Sequence, residues 1–472
     1  MLKYSPMIFK IRYLYLLPFL LIGLTFAAYS SNGTGGKWHK IQQAGTSIPA
    51  NDEILRIMTQ VAGWQLHNPV RFDIIFNNPE EQQTERIRVL WNGDLVFRQK
   101  RNFNPEKSAL PVGWLKYADL IHEDISFCEL PEAVQSTLKS DLSLNPENIL
   151  QIKMEDHSSV GWEQGALFAG LFALYEVSGD PIYLDALTRI GKANKWKLGP
   201  RIFHADDHCV GQVYLDLYRQ LQQSDLMEDV QMRFDWIMKN PAQQAVIFKE
   251  GQSRWTWCDA LFMSPPVWTK LYSLTGNRDY LDFMDNEWWS TTEHLYDKEE
   301  NLFFRDANYF NRKEKNGKKI FWSRGNGWVI AGIARLLNDI PMDYSSRQKY
   351  EQLFREMAMK IAMVQPENGL WRPSLLDPDS YSNPETSSSG FFCYAFAWGV
   401  NNGLLDREIF LPIIMKTWDG LVSCIHDDGM LGFVQLPGAS PTEVNAAQTS
   451  SYGVGAFLLA GSELVKLNQM KE

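Results

Sequence analysis

Asp259 sits at the end of a tryptophan-rich run and the start of an apolar one, Arg254-Trp-Thr-Trp-Cys-Asp-Ala-Leu-Phe-Met-Ser-Pro-Pro-Val-Trp268. Indole rings are flat apolar platforms that fit the faces of sugars, and a wall of them excludes water. A carboxyl group in such a wall is hard to ionise and keeps a proton near neutral pH, as a general acid must. A plainer role fits the same residues, with the tryptophans in a core and Asp259 capping the next helix. This stretch alone leaves both open.

Other polar clusters fall where the apolar periodicity breaks. His204-Ala-Asp-Asp-His-Cys-Val-Gly-Gln212 sets two carboxylates between two imidazoles. Adjacent Asp side chains point in different directions, and His-x-x-x-His at a loop–helix junction has no fixed ligand geometry. A site carboxylate is therefore favoured over a metal centre, although Asp207 also suits an N-cap. Phe321-Trp-Ser-Arg-Gly-Asn-Gly-Trp328 offers Arg324, whose planar fork matches a carboxylate, beside Gly325 and Gly327, which allow close approach. A structural ion pair for Arg324 is the alternative. Leu302-Phe-Phe-Arg-Asp306 supplies a second cation, Arg305. The hydroxyls of Trp371-Arg-Pro-Ser374 and Pro384-Glu-Thr-Ser-Ser-Ser-Gly390 suit sugar contacts, or caps for a helix from Phe391. The 5 cysteines are an odd, scattered set without CxxC spacing, so neither a disulfide framework nor a zinc site is expected.

Helices must position these residues. Apolar spacing predicts a first helix over Glu53–Leu66, then a less regular stretch, 68–150, with strand-like pieces at Phe72–Asn77, Ile87–Trp91 and Asp94–Arg98. From Gly161 the pattern is helix after helix: Trp162–Val177, Val210–Leu221, Val230–Lys239, Asp259–Leu274, Tyr280–Leu295, Trp328–Leu337, Arg347–Met363, Phe391–Gly399, Arg407–Val422 and Tyr452–Leu467. Ser178-Gly-Asp-Pro-Ile-Tyr-Leu-Asp185 and Thr275-Gly-Asn-Arg-Asp-Tyr-Leu-Asp282 repeat one device, a glycine stop followed by a new helix. Recurring antiparallel hairpins over this length predict an all-α closed toroid. No phosphate-binding or dinucleotide fingerprint follows a strand.

The 472 residues carry 13% aromatics, 17 Trp and a net charge of −10, which argues against nucleic acid as a partner. Lys3, Lys10 and Arg12 precede an apolar run, Tyr13 to Phe26, and small residues at Ala27, Ala28 and Ser30. That is the pattern of a secretory signal over residues 1–30, followed by a linker over 31–50. The mature chain is then expected in the periplasm or outside the cell, with no stable membrane span. The expected domain order continues with the first helix and irregular segment over 51–160 and the main catalytic part over 161–472.

Taken in order, HADDHCVGQ, WCDALFMSPPVW, LYDKEENLFFRD, FWSRGNGW, GLWRPSLLDP and PETSSSGFF resemble the unsaturated rhamnogalacturonyl and glucuronyl hydrolases, glycoside hydrolase families 105 and 88. The resemblance runs from Gly161 to the C-terminus and implies an (α/α)6 barrel. It implies an oligosaccharide substrate bearing a 4,5-unsaturated uronic acid at its non-reducing end, and no metal or organic cofactor. An Asp protonates C4 of the enol ether, water adds to C5 as the same Asp takes its proton, and the resulting hemiketal opens with loss of the glycosidic bond. Matched by motif, Asp259 takes the acid/base position and Asp207 the second carboxylate, with Asp206 as the alternative. Trp322, Arg324 and Trp328 match the sugar subsite, and His208, Trp257 and Arg305 are expected beside them. Arg305 stands where many relatives have His, and the segment before Gly161 is longer than the family pattern. The rival expectations are an inverting glycosidase using Asp207 and Asp259 on saturated glycosides, or a non-catalytic glycan-binding protein.

Overall fold

The computed structural model describes residues 47–66, 70–79, 82–91, 96–101, 122–124, 126–130, 132–142, 144–156, 160–243, 245 and 252–469. The expected export signal and most of the expected linker lie outside them. Among the described residues no helix is long and apolar enough to cross a membrane.

Six helices form a closed inner ring: α3 (Trp162–Ser178), α6 (Gly211–Leu221), α9 (Pro265–Thr275), α11 (Ser323–Leu337), α13 (Thr386–Asn401) and α15 (Ser451–Gln469). Each packs on the next, and α15 returns to α3. An outer layer alternates with them in the chain: α1 (Asn51–Leu66), α4 (Pro181–Ala193), α7 (Asp225–Lys239), α10 (Asp279–Leu295), α12 (Arg347–Met363) and α14 (Arg407–Val422). This is the expected (α/α)6 barrel. Two single-turn helices, α5 (Ala205–His208) and α8 (Ala260–Met263), precede α6 and α9 at the same end. The inner helices are apolar on almost every side because both their faces are covered; α3 is buried continuously from Gln164 to Leu174. Helix α1 completes the outer layer against α15 and α3, tied by Trp64 Nε1 donating to Asp428 at 2.8 Å.

The repeated glycine stop is what the sequence suggested. Gly179 and Gly276 end α3 and α9 at φ 67° and 74°, each donating its N–H back to a tyrosine carbonyl four residues earlier. That left-handed turn is cheap for glycine and sends the chain from the inner to the outer layer.

Three expectations on elements need correction. Residues 70–156 are not merely irregular: strands β1 (Val70–Asn78), β2 (Gln83–Trp91), β3 (Val96–Arg101), β4 (His122–Asp124) and β5 (Ile149–Asp156) make one antiparallel sheet in the order β3-β2-β1-β5-β4. Ile74, Phe76 and Ile152 of this sheet share a small core with Val134 and Leu138 of helix α2 (Glu132–Leu142). The all-α expectation therefore holds for the barrel and not for this segment. Second, α11 begins five residues before the expected Trp328, because the glycines are inside its first turns. A Cβ on Gly325 would lie 3.0 Å from Cys258 Sγ, and one on Gly327 3.3 Å from Phe391, so neighbouring chain fills the space of the missing side chains. Third, α13 starts at Thr386, not Phe391. Its serines are capped by Glu385, which accepts from Ser387 N at 3.1 Å and Ser388 N at 2.7 Å.

Candidate active site

The N-terminal ends of the inner helices meet at one end of the barrel. Trp162 of α3, Trp328 of α11 and Tyr452 of α15 touch there, with ring centroids 5.1 to 6.0 Å apart. Helix N-termini carry partial positive charge, so this end favours anionic groups.

Asp259 lies here, directly before α8. Its side chain makes no capping bond, so the capping alternative fails. It is 8% exposed, with Arg305 Nε at 3.5 Å and the Cys258 thiol donating to it at 3.5 Å. Burial raises its pKa above the usual carboxylate range, against the opposing charges of Arg305 and Arg324. Arg305 is brought in by the backbone, since its carbonyl accepts from Cys258 N at 2.8 Å. Its Nη1 holds Asp306 at 2.7 Å, while its buried Nε has no hydrogen-bond partner in good geometry.

The neighbouring carboxylates, Asp206 and Asp207, differ in their surroundings. Asp207 accepts from the backbone N and the guanidinium of Arg201 at 2.5 to 3.2 Å and clamps the loop before α5. Asp206, with 21% of its side chain exposed, is not held this way. Burial pushes its carboxyl up to about 7, eased by Arg201 and reinforced by the charges of Asp259 and Asp207. The charge of Asp259 opposes ionisation of Asp206, so the pair is harder to ionise together than either group alone.

The histidines divide likewise. His208, expected beside the sugar, is 2% exposed and tied to Ser264 Oγ at 2.8 Å and the Ile202 carbonyl at 2.7 Å. Burial lowers its pKa to about 3. It is a framework residue. His204 is the one that joins the site: it N-caps α5, lies 3.8 Å from Asp206, packs its ring on Trp257 with centroids 5.0 Å apart and bonds Gln252 at 2.6 Å. Burial and Arg201 lower its pKa to about 4, so it is neutral at physiological pH. Among the described residues no group of three or more His, Cys, Asp or Glu is placed to hold a metal ion.

The tryptophans and Arg324 also differ from expectation. Trp257, Trp322 and Trp328 are 2%, 2% and 0% exposed, so in this state they wall the site from behind and offer no open sugar platform. Trp322 Nε1 donates to Gln435 at 2.7 Å. Arg324, 1% exposed, lies 4.4 Å over the Trp322 ring and donates to the carbonyls of Gln435 and Leu436 and to Tyr452 Oη. Both terminal nitrogens are thus taken by backbone carbonyls of the loop before α15 and by Tyr452, and not by the ion pair expected as the alternative, while the charge still reaches Asp259. The residues of 386–389 are likewise buried, and the hydroxyls of Thr386, Ser388 and Ser389 donate to the Gly432 and Glu385 carbonyls.

Gln435 and Tyr452 escaped the sequence reading, since no local motif surrounds them; they arrive from more than a hundred residues downstream to hold Arg324 and Trp322. His204 had a signal, being in the same motif as His208, and its place before α5 was the distinguishing feature.

The chain is similar to known proteins in sequence and in fold. The chain is 41% identical over 322 residues to a Formosa agariphila protein named unsaturated 3S-rhamnoglycuronyl hydrolase, covering 65% of this chain and 85% of that one. It is 33% identical over 322 residues to an Alteromonas protein of the same name, covering 65% and 78%. A glycosyl hydrolase family 88 structure from Bacteroides vulgatus superposes with a TM-score of 0.61 at 32% identity, covering 65% of this chain and 92% of that one. The family model described as Glycosyl Hydrolase Family 88 matches residues 139–468, most of the barrel with every carboxylate discussed above, and the chain belongs to that family of glycoside hydrolases.

Proposed function

We propose that the protein removes a 4,5-unsaturated uronic acid from the non-reducing end of an oligosaccharide by hydrating the C4=C5 double bond. The observation that carries this reading is Asp259, buried, free of any capping duty and within 3.5 Å of a cation. A vinyl ether needs a proton delivered to carbon, and a buried carboxyl with a raised pKa can deliver it. Protonation of C4 leaves positive charge on C5, which the nearby carboxylate charge stabilises. Water then adds to C5 and gives its proton back to Asp259. The hemiketal opens, the former anomeric carbon becomes a hemiacetal, and the leaving sugar departs.

Arg305 is the cation best placed for the uronate carboxylate, since 20% of its side chain is exposed whereas Arg324 is 1% exposed. Engaging the substrate would draw that charge from Asp259 and raise the acid's pKa further, favouring the protonated form when substrate is present. Asp206 serves as the second carboxylate, with the neutral His204 beside it and Trp257 behind them. The two relatives named as rhamnoglycuronyl hydrolases support rhamnose as the sugar released. The basic and then apolar N-terminus supports export to the periplasm or beyond, which cell fractionation would test.

Incubation with lyase-generated oligosaccharides, followed by absorbance of the conjugated uronate near 235 nm, tests the reaction. Loss of absorbance that disappears in Asp259→Asn is the expected result. Release of sugar from saturated glycosides with no loss of absorbance would overturn it.

A further inference from the structure

The chain between Asp306 and Phe321 leaves the active-site rim and returns to it, with Arg305 at its start and Trp322 and Arg324 at its end. Arg312, Lys313, Lys315, Lys318 and Lys319 place five cations in eight residues against one carboxylate, Glu314, in a chain of net charge −10. A charge run is ordinarily a solvated face. This one is a built hairpin. Lys313 pairs with Lys319 as a β-bridge, and Gly317 turns the tip at φ 81°. The tip is pinned by Asn316 Nδ2 donating to the Leu376 carbonyl at 2.8 Å, and the carboxylate beneath it accepts from Tyr381 Oη at 3.3 Å. The returning strand is stitched to the rim, with Leu375 N donating to Phe321 O at 3.0 Å and Ser323 N to Pro373 O at 2.8 Å.

Its cations have different duties. Lys319 is held by Asp297 at 2.6 Å and Glu299 at 2.9 Å, and Arg312 lies 4.9 Å over the Tyr309 ring. Lys313, Lys315 and Lys318 are exposed, and among the described residues none has a carboxylate within 4.0 Å. Of the surrounding acids, Asp377 is buried and accepts from Ser380 Oγ, and Glu443 accepts from Ser382 N. Three ammonium groups without a carboxylate partner are thus held on a pinned scaffold, in the segment that joins Arg305 to Trp322 and Arg324, in an otherwise acidic protein.

We propose that Lys313, Lys315 and Lys318 bind an anionic substituent, a sulfate ester or a carboxylate, on the sugars beyond the bond that is cleaved. This rests on the proposed reaction for the position of the substrate, but its charge argument is independent of the chemistry. Lysine ammoniums on long stems are point charges that tolerate variable geometry. Exposed pairs are individually weak and screened by salt, so three together act on capture of the substrate, with roughly a tenfold effect at low salt.

The test compares the wild-type chain with the triple variant Lys313→Ser, Lys315→Ser, Lys318→Ser, and with a charge-preserving Lys→Arg triple. Substrates are an unsaturated oligosaccharide sulfated on the sugar after the uronate, its desulfated counterpart, and a desulfated one lengthened by a second uronate. The ratio of kcat/KM for sulfated over desulfated substrate should fall roughly tenfold in the Ser triple, through KM, and recover in the Arg triple. A fall seen only on the lengthened substrate would assign the hairpin to a carboxylate. Equal ratios in wild type and the Ser triple on both comparisons would overturn the proposal. Calorimetric binding of the sulfated and of the lengthened oligosaccharide to Asp259→Asn, with and without the Ser triple, reads the same differences without turnover. Failure of the proposed reaction would therefore leave this test intact. Unchanged affinity there would also overturn the hairpin's role.

Discussion

Replacing Arg305 by Gln isolates the charge that most directly opposes a proton on Asp259. Arg305 Nε lies 3.5 Å from the Asp259 carboxylate. At an effective dielectric of roughly 20, a unit charge at this range interacts by about 5 kcal/mol. Asp306, at 2.7 Å from Nη1, already draws on the same cation, and 20% of the arginine side chain is exposed. Both reduce the effect to roughly 1–2 kcal/mol, or about one pKa unit. The cation favours the ionised form, so its removal raises the Asp259 pKa. A general acid works while protonated, and the alkaline limb of kcat/KM, read in the free enzyme, should move up by about one unit. The assay is the pH dependence of the loss of absorbance near 235 nm. The height of the profile should also drop through KM, because the uronate loses its cation, but the position of the limb is independent of that loss. A limb that stays in place or moves to lower pH would refute Asp259 as the titrating acid.

Asp206→Asn and Asp207→Asn should separate chemistry from framework. The first should cut kcat at least about tenfold with little change in thermal midpoint, while the second breaks the Arg201 clamp and should cost about 2 kcal/mol in chemical denaturation. Arg324→Ala should act as a stability mutation, costing about 3 kcal/mol in urea unfolding, because it leaves the Gln435 and Leu436 carbonyls short of a buried donor. A normal unfolding midpoint with a raised KM would return Arg324 to the role of substrate ligand. Gly332→Ala would set a Cβ 2.3 Å from the Leu261 carbonyl and should destabilise the barrel by roughly 2 kcal/mol or more, again read by denaturation.

The linear order of motifs carried much of the answer. Apolar periodicity located the helices of the barrel, with Arg347–Met363 and Arg407–Val422 found at their observed bounds. The glycine stops at Gly179 and Gly276 gave away the inner-to-outer hairpin, since a left-handed residue after a long apolar helix is a local requirement that local sequence can state. Asp259 was legible because tryptophans and an apolar run flank it within the same fifteen residues.

What remained depended on contacts between segments far apart in the chain. Two adjacent aspartates look alike in sequence; Arg201 captures Asp207, and burial next to Asp259 raises Asp206. Two histidines in one motif are equally suited to a site until Ser264 and Ile202 take His208 into the framework. Arg324 and the glycines after it resemble a ligand cradle, yet the loop at Gln435 and Leu436 uses the arginine and Cys258 and Phe391 fill the glycine space. Local propensity fixes the backbone path of a helix, but a polar side chain takes whichever partner the closed ring brings within reach. The sequence determined that a helical ring would carry a buried acid, and only the tertiary structure decided which charges surround it.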